Sequence, residues 1–479
     1  MHRRSVRQTV WAAAALTALA TTRPVAAQLS LQTGGESSSY LQQQRQIEQE
    51  NRRKLEGTLP ATQKVRVDWG GWFDWYYFNF DDGVRERTQR TYDVRLFAHV
   101  TADEGIHDGY ARMRLGWVDW NSGDAYNSND DDFIGPNLER GWYQFDITHA
   151  LRKYGGVDSP VSLKLKLGRD FVQTGSAYAI AMPLDHVQLQ AEYAGFETTA
   201  LIGRTPGSTP NIDRSYPVAS ESNRVFWIFE ERYKGFARHE PFVYYARQSD
   251  HTREDPIDLL QNYDYDSEYI GFGSTGEMVR NLKYNTEWVI ERGDSYGDRK
   301  FLHRDEVKAW AFDQELEYLF SHRTKPRASL EYMFASGDSD RVFTPTNAEG
   351  GNRNDHVDRS FIGFGFRDTG LALAPRLSNI HIWRAGASFV PVPEVERLKN
   401  LELGTNWFLY WKHKETAAIS DPTANETSGY LGWEMDYYAN YRITNDLSLT
   451  FRLGEFFPGE AYSETDPRYF FLAGLTWSF

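Results

Sequence analysis

Basic side chains recur at alternate positions in segments that are otherwise apolar. Arg112 and Arg114 alternate with apolar residues in one segment, and Lys164 and Lys166 do so in another. Residues two apart share one face of a β-strand, so each segment presents cations on one face and apolar side chains on the other. Rows of arginine and lysine bind carboxylates and select for anions. The spacing therefore predicts the binding or passage of an acidic solute.

The full set of candidate pore-lining cations follows from the same alternation. It comprises Arg95, Arg112, Arg114, Lys164, Lys166, Arg169 and Arg452. A charge facing lipid at mid-membrane would cost about 2–4 kcal/mol, so these side chains should face an aqueous lumen. Acids also occur in the inward phase, and Glu434 and Asp436 are the predicted acidic partners in the pore. Three interpretations stay open: an anion-selective path, paired charges that hold the wall together, or charges at an interface if the register is misjudged.

The elements that must position these residues are short segments of alternating apolar and polar residues, which begin near residue 64. The last segment, 468–479, has aromatic and apolar residues at its odd positions and ends on Phe479. A soluble β-sandwich would show the same alternation. Tryptophan and tyrosine near segment ends, the aromatic terminal strand, and alternating long and short connections instead favour an outer-membrane barrel.

Eighteen candidate strands account for the chain after residue 63. They are 64–79, 89–101, 109–120, 138–147, 161–169, 184–193, 196–204, 224–234, 237–247, 267–274, 280–291, 304–319, 327–335, 377–390, 400–413, 428–442, 446–455 and 468–479. The predicted fold class is all-β: a transmembrane antiparallel β-barrel of about 18 strands, with long extracellular loops and short periplasmic turns. Segment 358–366 could form a nineteenth strand, but we place it inside the longest loop, 336–376, which could fold over or into the pore.

Composition excludes several other classes of protein. The chain has 479 residues, no cysteine, 15% aromatic residues and a net charge of −14. Its mean hydropathy is −0.62, and no interior apolar run is long enough for a membrane-spanning helix. Missing cysteine excludes disulfide scaffolds and thiolate metal sites. The aromatic content argues against a disordered chain.

Three regions are expected along the chain. Residues 1–27 read as a signal peptide, because a basic start precedes a short apolar stretch and a small-residue cleavage site. Residues 28–62 form a periplasmic arm, either a solvated helix or a flexible segment, although a contact with a periplasmic partner or a plug in the barrel mouth stays open. Residues 63–479 form the barrel, in the outer membrane of a Gram-negative type of cell.

The chain resembles the bacterial alginate-export porin family. The resemblance rests on SGYLGWEMD at 428–436, GEFFPG at 454–459 and the terminal strand, with similar features at 167–170 and 359–370. It covers most of the chain after residue 64 in order and spacing. It implies an eighteen-stranded barrel with an arginine-rich lumen that passes an anionic uronate polymer outward.

The expected function is an outer-membrane channel for an anionic polysaccharide or oligosaccharide, such as an alginate-like polyuronate. The alternatives are a porin for small anionic nutrients and an exported β-rich carbohydrate-active enzyme. A match to G-x-G-x-x-G at 271–276 lies at a strand end and not before a helix, so it predicts no nucleotide site. No catalytic residue, metal or cofactor is expected.

The expected partners are outer-membrane lipid and lipopolysaccharide, the anionic polysaccharide, and periplasmic export machinery. No nucleic-acid partner is expected, and the barrel should be a monomer. Acidic runs such as 130–132 and 250–266 lie in long connections. They form either a solvated acidic rim or carboxylate clusters that share divalent cations with lipopolysaccharide phosphates.

Overall fold

The computed structural model of the protein describes residues 65–81, 83–125, 131–207, 209, 222–252, 265–297, 304–341, 352 and 354–479. The predicted signal peptide at 1–27 and the predicted arm at 28–62 lie outside these residues. Among the residues that the structure describes, no helix is both long and apolar enough to span a membrane.

Strands dominate the described chain. In order they are β1 (Val65–Asp81), β2 (Glu86–Ala102), β3 (His107–Trp120), β4 (Asp131–Asp146), β5 (Ser162–Gln173), β6 (Ala181–Tyr193), β7 (Phe196–Arg204), β8 (Arg224–Tyr233), β9 (His239–Asp250), β10 (Asp266–Val279), β11 (Leu282–Gly297), β12 (Arg304–Leu319), β13 (Arg327–Ala335), β14 (Val357–Asp358), β15 (Ile380–Phe389), β16 (Leu401–Lys412), β17 (Tyr430–Arg442), β18 (Leu447–Pro458) and β19 (Arg468–Ser478). A 3-10 turn, η1 (Asp103–Gly105), follows β2, and a helix, α1 (Ile147–Gly155), follows β4.

Eighteen of these strands form a closed antiparallel barrel. Each pairs with its neighbours in chain order, and β1 pairs with β19 to complete the circle. The two-residue strand β14 pairs in parallel with β12 inside the long connection, so β13 pairs with β15 in the wall. The predicted eighteen-stranded barrel is confirmed. The segment considered as a nineteenth strand, 358–366, lies within the long connection, as expected.

The seam joins the two ends of the described chain. Nine residue pairs run from Trp72↔Ser478 to Phe80↔Phe470. Gly71 and Phe479 extend the seam, because each donates its backbone N–H to the other's carbonyl at 3.0 and 2.9 Å. Lipid offers no hydrogen-bond partner to backbone groups, so a membrane sheet must close in this way.

The two faces of the wall differ as the alternation predicts. Outward positions carry exposed apolar side chains, for example Leu96, Met113, Trp310 and Phe451. Inward positions carry most of the buried charged side chains. This pattern inverts that of a soluble sheet and fits a water-filled barrel in lipid.

The connections between neighbouring strands differ in length. Residues 82–85 join β1 to β2, and the connection between β4 and β5 contains α1. Asp146 caps this helix by accepting the His149 backbone N–H at 2.8 Å, and Lys153 contacts Asp103 of η1 at 2.7 Å.

Arginine substitutions at two neighbouring positions of β18 test which face of the strand meets lipid. Phe451 in β18 is exposed on the outer face, whereas its neighbour Thr450 points into the lumen and bonds Asn440. We expect Phe451→Arg to lower the unfolding free energy by about 2–4 kcal/mol, because the cation would face lipid. Thr450→Arg, the matched control, should have a much smaller effect. Denaturant titration of tryptophan fluorescence in lipid vesicles measures both, and equal effects would contradict the assignment.

Candidate functional site

The lumenal wall of β1 to β4 carries a buried network of arginines and acids. Arg95 and Arg112 are 5% and 2% exposed, and both bind Glu139, at 3.2 and 2.7 Å. Arg95 also contacts Asp74 at 2.7 Å. Glu139 is the extra residue of a bulge in β4, which turns it toward these arginines. The bulge thus places one carboxylate between two guanidinium groups.

The network continues across β2 to β5. Arg114 holds Asp93 through two hydrogen bonds of 2.9 and 2.8 Å, and Lys166 pairs with Asp170. Arg140 lies 3.7 Å from the same Asp170. Four of the predicted cations, Arg95, Arg112, Arg114 and Lys166, therefore face the lumen within ion pairs. The interpretation as paired charges that hold the wall together describes this region.

Cations outnumber acids in this network, which we call the cationic wall. It contains Arg95, Arg112, Arg114, Arg140 and Lys166 as cations, and Asp74, Asp93, Glu139 and Asp170 as acids. Lys164 is partly exposed on the inward phase of β5, directly opposite Asp146 in register. Within the described chain, its ammonium group has neither a hydrogen-bond nor an ion-pair partner.

Arg169 is not on the lumenal face, contrary to the prediction. It alternates in phase with the exposed outer residue Leu167 and bonds Asp185 at 2.6 and 2.8 Å. Asp185 is itself in phase with the exposed outer residue Val187. The apolar pattern of β5 already assigned odd positions to the outer face, where Arg169 forms an ion pair with Asp185 of the neighbouring strand.

The predicted residues on β17 and β18 are placed differently from one another. Arg452 faces the lumen with its guanidinium carbon 5.4 Å from the centre of the Tyr438 ring. Asp436 is buried on the same side of β17. Glu434 is fully buried and accepts the backbone N–H groups of residues 371, 372 and 373 at 2.5, 2.7 and 2.9 Å. Glu434 is thus an anchor for the backbone and not an open pore-lining acid.

The long connection between β13 and β15 folds into the lumen. Ile362 donates its N–H to Glu291 at 2.9 Å and accepts the Tyr269 hydroxyl at 2.5 Å. Further along, the Tyr410 hydroxyl donates to the Thr369 carbonyl at 2.9 Å. The loop is therefore held by wall strands from β10 to β17. Loop 336–376 was expected to fold either over the pore or into it. Its described later part folds into the pore.

A second connection, 174–180 between β5 and β6, meets the first inside the lumen. Ala181 donates its N–H to Phe364 at 2.9 Å, and Phe364 donates to Ala179 at 2.7 Å. Arg367 joins both loops to the wall, because it contacts Asp313 at 2.8 Å and the Ser176 hydroxyl at 2.6 Å. We call residues 174–180 and 359–379 the inner loops. Together they narrow the barrel.

Sequence reasoning missed several residues that build this constriction. Glu287 and Glu291 lie four positions apart on the inward face of β11, and each accepts hydrogen bonds from an inner loop. This even spacing in a strand places both carboxylates on the same face, and the sequence alone shows it. By contrast, nothing in the short segment 174–180 signals that it crosses the lumen. The bulge that directs Glu139 inward is equally hidden in the sequence.

The mouth at the end that carries α1 contains a polar cavity of about 530 Å³ between this helix and the turn from β6 to β7. Its lining includes Arg152, Glu192 and Lys234. No cluster of three or more side chains suited to a metal occurs among the described residues.

Comparison with known proteins decides the family. The family model described as alginate export matches residues 208–473, more than half of the chain. The chain belongs to the alginate export family. This membership and the closed barrel identify an outer-membrane channel of Gram-negative bacteria, and not an exported enzyme. A search of curated protein sequences found no match.

Solved structures support the fold of this family member. The barrel is similar to Pseudomonas aeruginosa OccK11 (OpdR), with a TM-score of 0.51 and 12% identity over 86% of this chain and 96% of that one. It is also similar to OccK8 (OprE) of the same organism, with a TM-score of 0.51 and 12% identity over 86% and 98% of the two chains. At such identities the likeness concerns the fold alone.

Removal of the Glu434 carboxylate tests the anchoring of the inner loops. In Glu434→Ala, three backbone N–H groups lose their acceptor, and each unsatisfied buried donor costs about 1–3 kcal/mol. We therefore expect the loop to leave its site, with a higher and noisier single-channel conductance in planar bilayers. Glu455→Ala removes an exposed carboxylate from β18 and serves as the control. Conductance equal to that of the unmodified channel would contradict the anchoring role.

Proposed function

We propose that the channel passes an anionic polysaccharide or oligosaccharide of the polyuronate type. The observation that carries this proposal is the cationic wall, a lumenal ion-pair network of five cations and four acids with Lys164, unpaired within the described chain, beside it, in a protein whose net charge is −14. Arginine and lysine side chains suit repeated carboxylates. The family description, alginate export, names an acidic polymer of this kind.

The burial of several lumenal acids also supports selectivity for anions. Glu287, Glu291 and Glu434 lie behind the inner loops, where backbone N–H and hydroxyl groups bind their oxygens. An acid that is buried and hydrogen-bonded in this way is removed from the solute's path. Arg114, Arg140 and Lys166 of the wall, and Lys164 beside them, keep part of their side chains exposed to the lumen, whereas Arg95 and Arg112 are buried in their ion pairs. The accessible cations would attract an acidic solute.

Paired arginines can still act on an anion. An arginine in an ion pair keeps guanidinium N–H groups that can bond a second acceptor, since it has five donors in all. Several weak contacts of this kind let a polymer slide without being trapped. The unpartnered Lys164 adds a contact that is not already used.

A porin for small anionic nutrients is the second candidate function, because the cationic wall would also attract small carboxylates. In either case we propose that lipopolysaccharide surrounds the outer rim and that the end bearing α1 faces the periplasm, where export machinery could dock. One chain is sufficient to close the barrel.

Ion selectivity tests the role of the cationic wall. We expect the purified channel to prefer anions when its reversal potential is measured in a planar bilayer under a salt gradient. Glu139→Gln should increase that preference, because it removes one lumenal acid. The double variant Lys164→Gln with Lys166→Gln should decrease it. Lys308→Gln on the outer face is the matched control and should have no effect.

The sign of the reversal potential decides the outcome. A cation-selective channel would contradict the proposal that the wall attracts acidic solutes. If the channel prefers anions but added oligouronates do not reduce its current, while small dicarboxylates permeate, the small-anion porin replaces polysaccharide transport.

A further inference from the structure

A group of lumen-facing aromatic rings lies beside the cationic wall. The Tyr110 and Trp142 rings stack with centroids 5.9 Å apart and planes inclined by 21°. Phe97 stacks on Tyr110 at 6.1 Å, with an inclination of 19°. All three side chains are partly exposed and lie in the inward phase of β2, β3 and β4. The wall thus presents a row of stacked, partly exposed aromatic rings to the lumen, which we call the aromatic plate.

Unused hydrogen-bonding groups border this plate. Gln144 lies two residues after Trp142 on the same face of β4, and Gln188 lies across β5 in the same row, with Lys166 between them. Neither amide side chain has a hydrogen-bond partner in the part of the chain that the structure describes, and both are partly exposed. The adjacent Lys164 is likewise unpartnered there. Lumenal amides in this state are available to a solute.

The space next to Trp142 is shaped by a glycine. Gly168 stands directly opposite Trp142 on β5, at φ 126°, a conformation that favours glycine. The strand therefore has no side chain beside the indole at that position. Lys166 extends over the indole, with its ammonium nitrogen 4.4 Å from the ring centroid. The Lys166 ammonium group therefore contacts the face of the Trp142 ring.

We propose that this patch is a binding station for one sugar unit of an acidic saccharide, formed by Tyr110, Trp142, Gln144, Lys164, Lys166 and Gln188. The exposed parts of the stacked rings offer apolar contact to the C–H groups of a pyranose ring. The glutamine amides bond its hydroxyls, and the two lysines bond its carboxylate. The inference rests on the proposed passage of an acidic saccharide and assigns the residues that recognise its sugar ring.

The combination discriminates between solutes. A small inorganic or carboxylic anion uses the lysines alone and gains nothing from an aromatic plate. A neutral saccharide uses the plate and the amides but not the charge. Only an acidic saccharide uses all three kinds of group in this patch.

Block of the ion current by added saccharides tests the station. We expect Trp142→Leu to raise the half-blocking concentration of an oligouronate about three- to tenfold, the loss expected for one aromatic contact. The reversal potential in simple salt should stay unchanged, because no charge is altered. Trp310→Leu, the same change on the outer face, should leave the block unchanged. Heat-modifiable gel migration confirms that each variant forms a barrel.

A second variant separates recognition of the sugar from simple charge attraction. Gln144→Leu combined with Gln188→Leu should also weaken the block without changing ion selectivity. If both variants are blocked as the unmodified channel is, the station is wrong while polysaccharide transport stands. If oligouronates fail to block even the unmodified channel, the proposed function itself is wrong, and the station with it.

Discussion

The closure of the sheet is the constraint on which the rest of this molecule depends. In lipid, each backbone N–H and C=O of a wall strand needs a partner within the protein. The pairing of β1 with β19 meets this requirement at the last open edge. Once the wall is closed, strand alternation separates an apolar outer face from a polar inner one. Buried charged residues such as Arg95 lie on the inner face, whereas Arg169 on the outer face pairs with Asp185.

A barrel of this strand number leaves a wide lumen, and the chain fills part of it with its own backbone. The inner loops bring polar peptide groups into the barrel, and these groups need acceptors and donors. Wall carboxylates and tyrosine hydroxyls supply them, as Glu434 and Tyr410 do for residues 369–373. Many of the acids in the wall therefore serve the polypeptide and not the solute. The cationic wall and its aromatic plate lie on other strands, β1 to β5.

The periodic parts of the structure could be predicted from sequence and the irregular parts could not. The period of two fixed the face of Arg95, Arg112, Arg114 and Lys166, and the C-terminal aromatic strand indicated the closing seam. Arg169 shows how one neutralising neighbour, Asp185, lets a charge occupy the apolar phase. Glu139 depends on a bulge, and segment 174–180 depends on partners far along the chain. Such features arise from tertiary contacts, which leave little trace in local patterns.

The anchoring of the inner loops by buried acids has a consequence for traffic through the barrel. Any movement of the loops away from the wall would uncover Glu287, Glu291 and Glu434 and deprive them of their hydrogen-bond donors. The newly exposed oxygens would repel an incoming anion at the moment when the passage widens. Opening of the inner loops would therefore change the charge of the passage as well as its width.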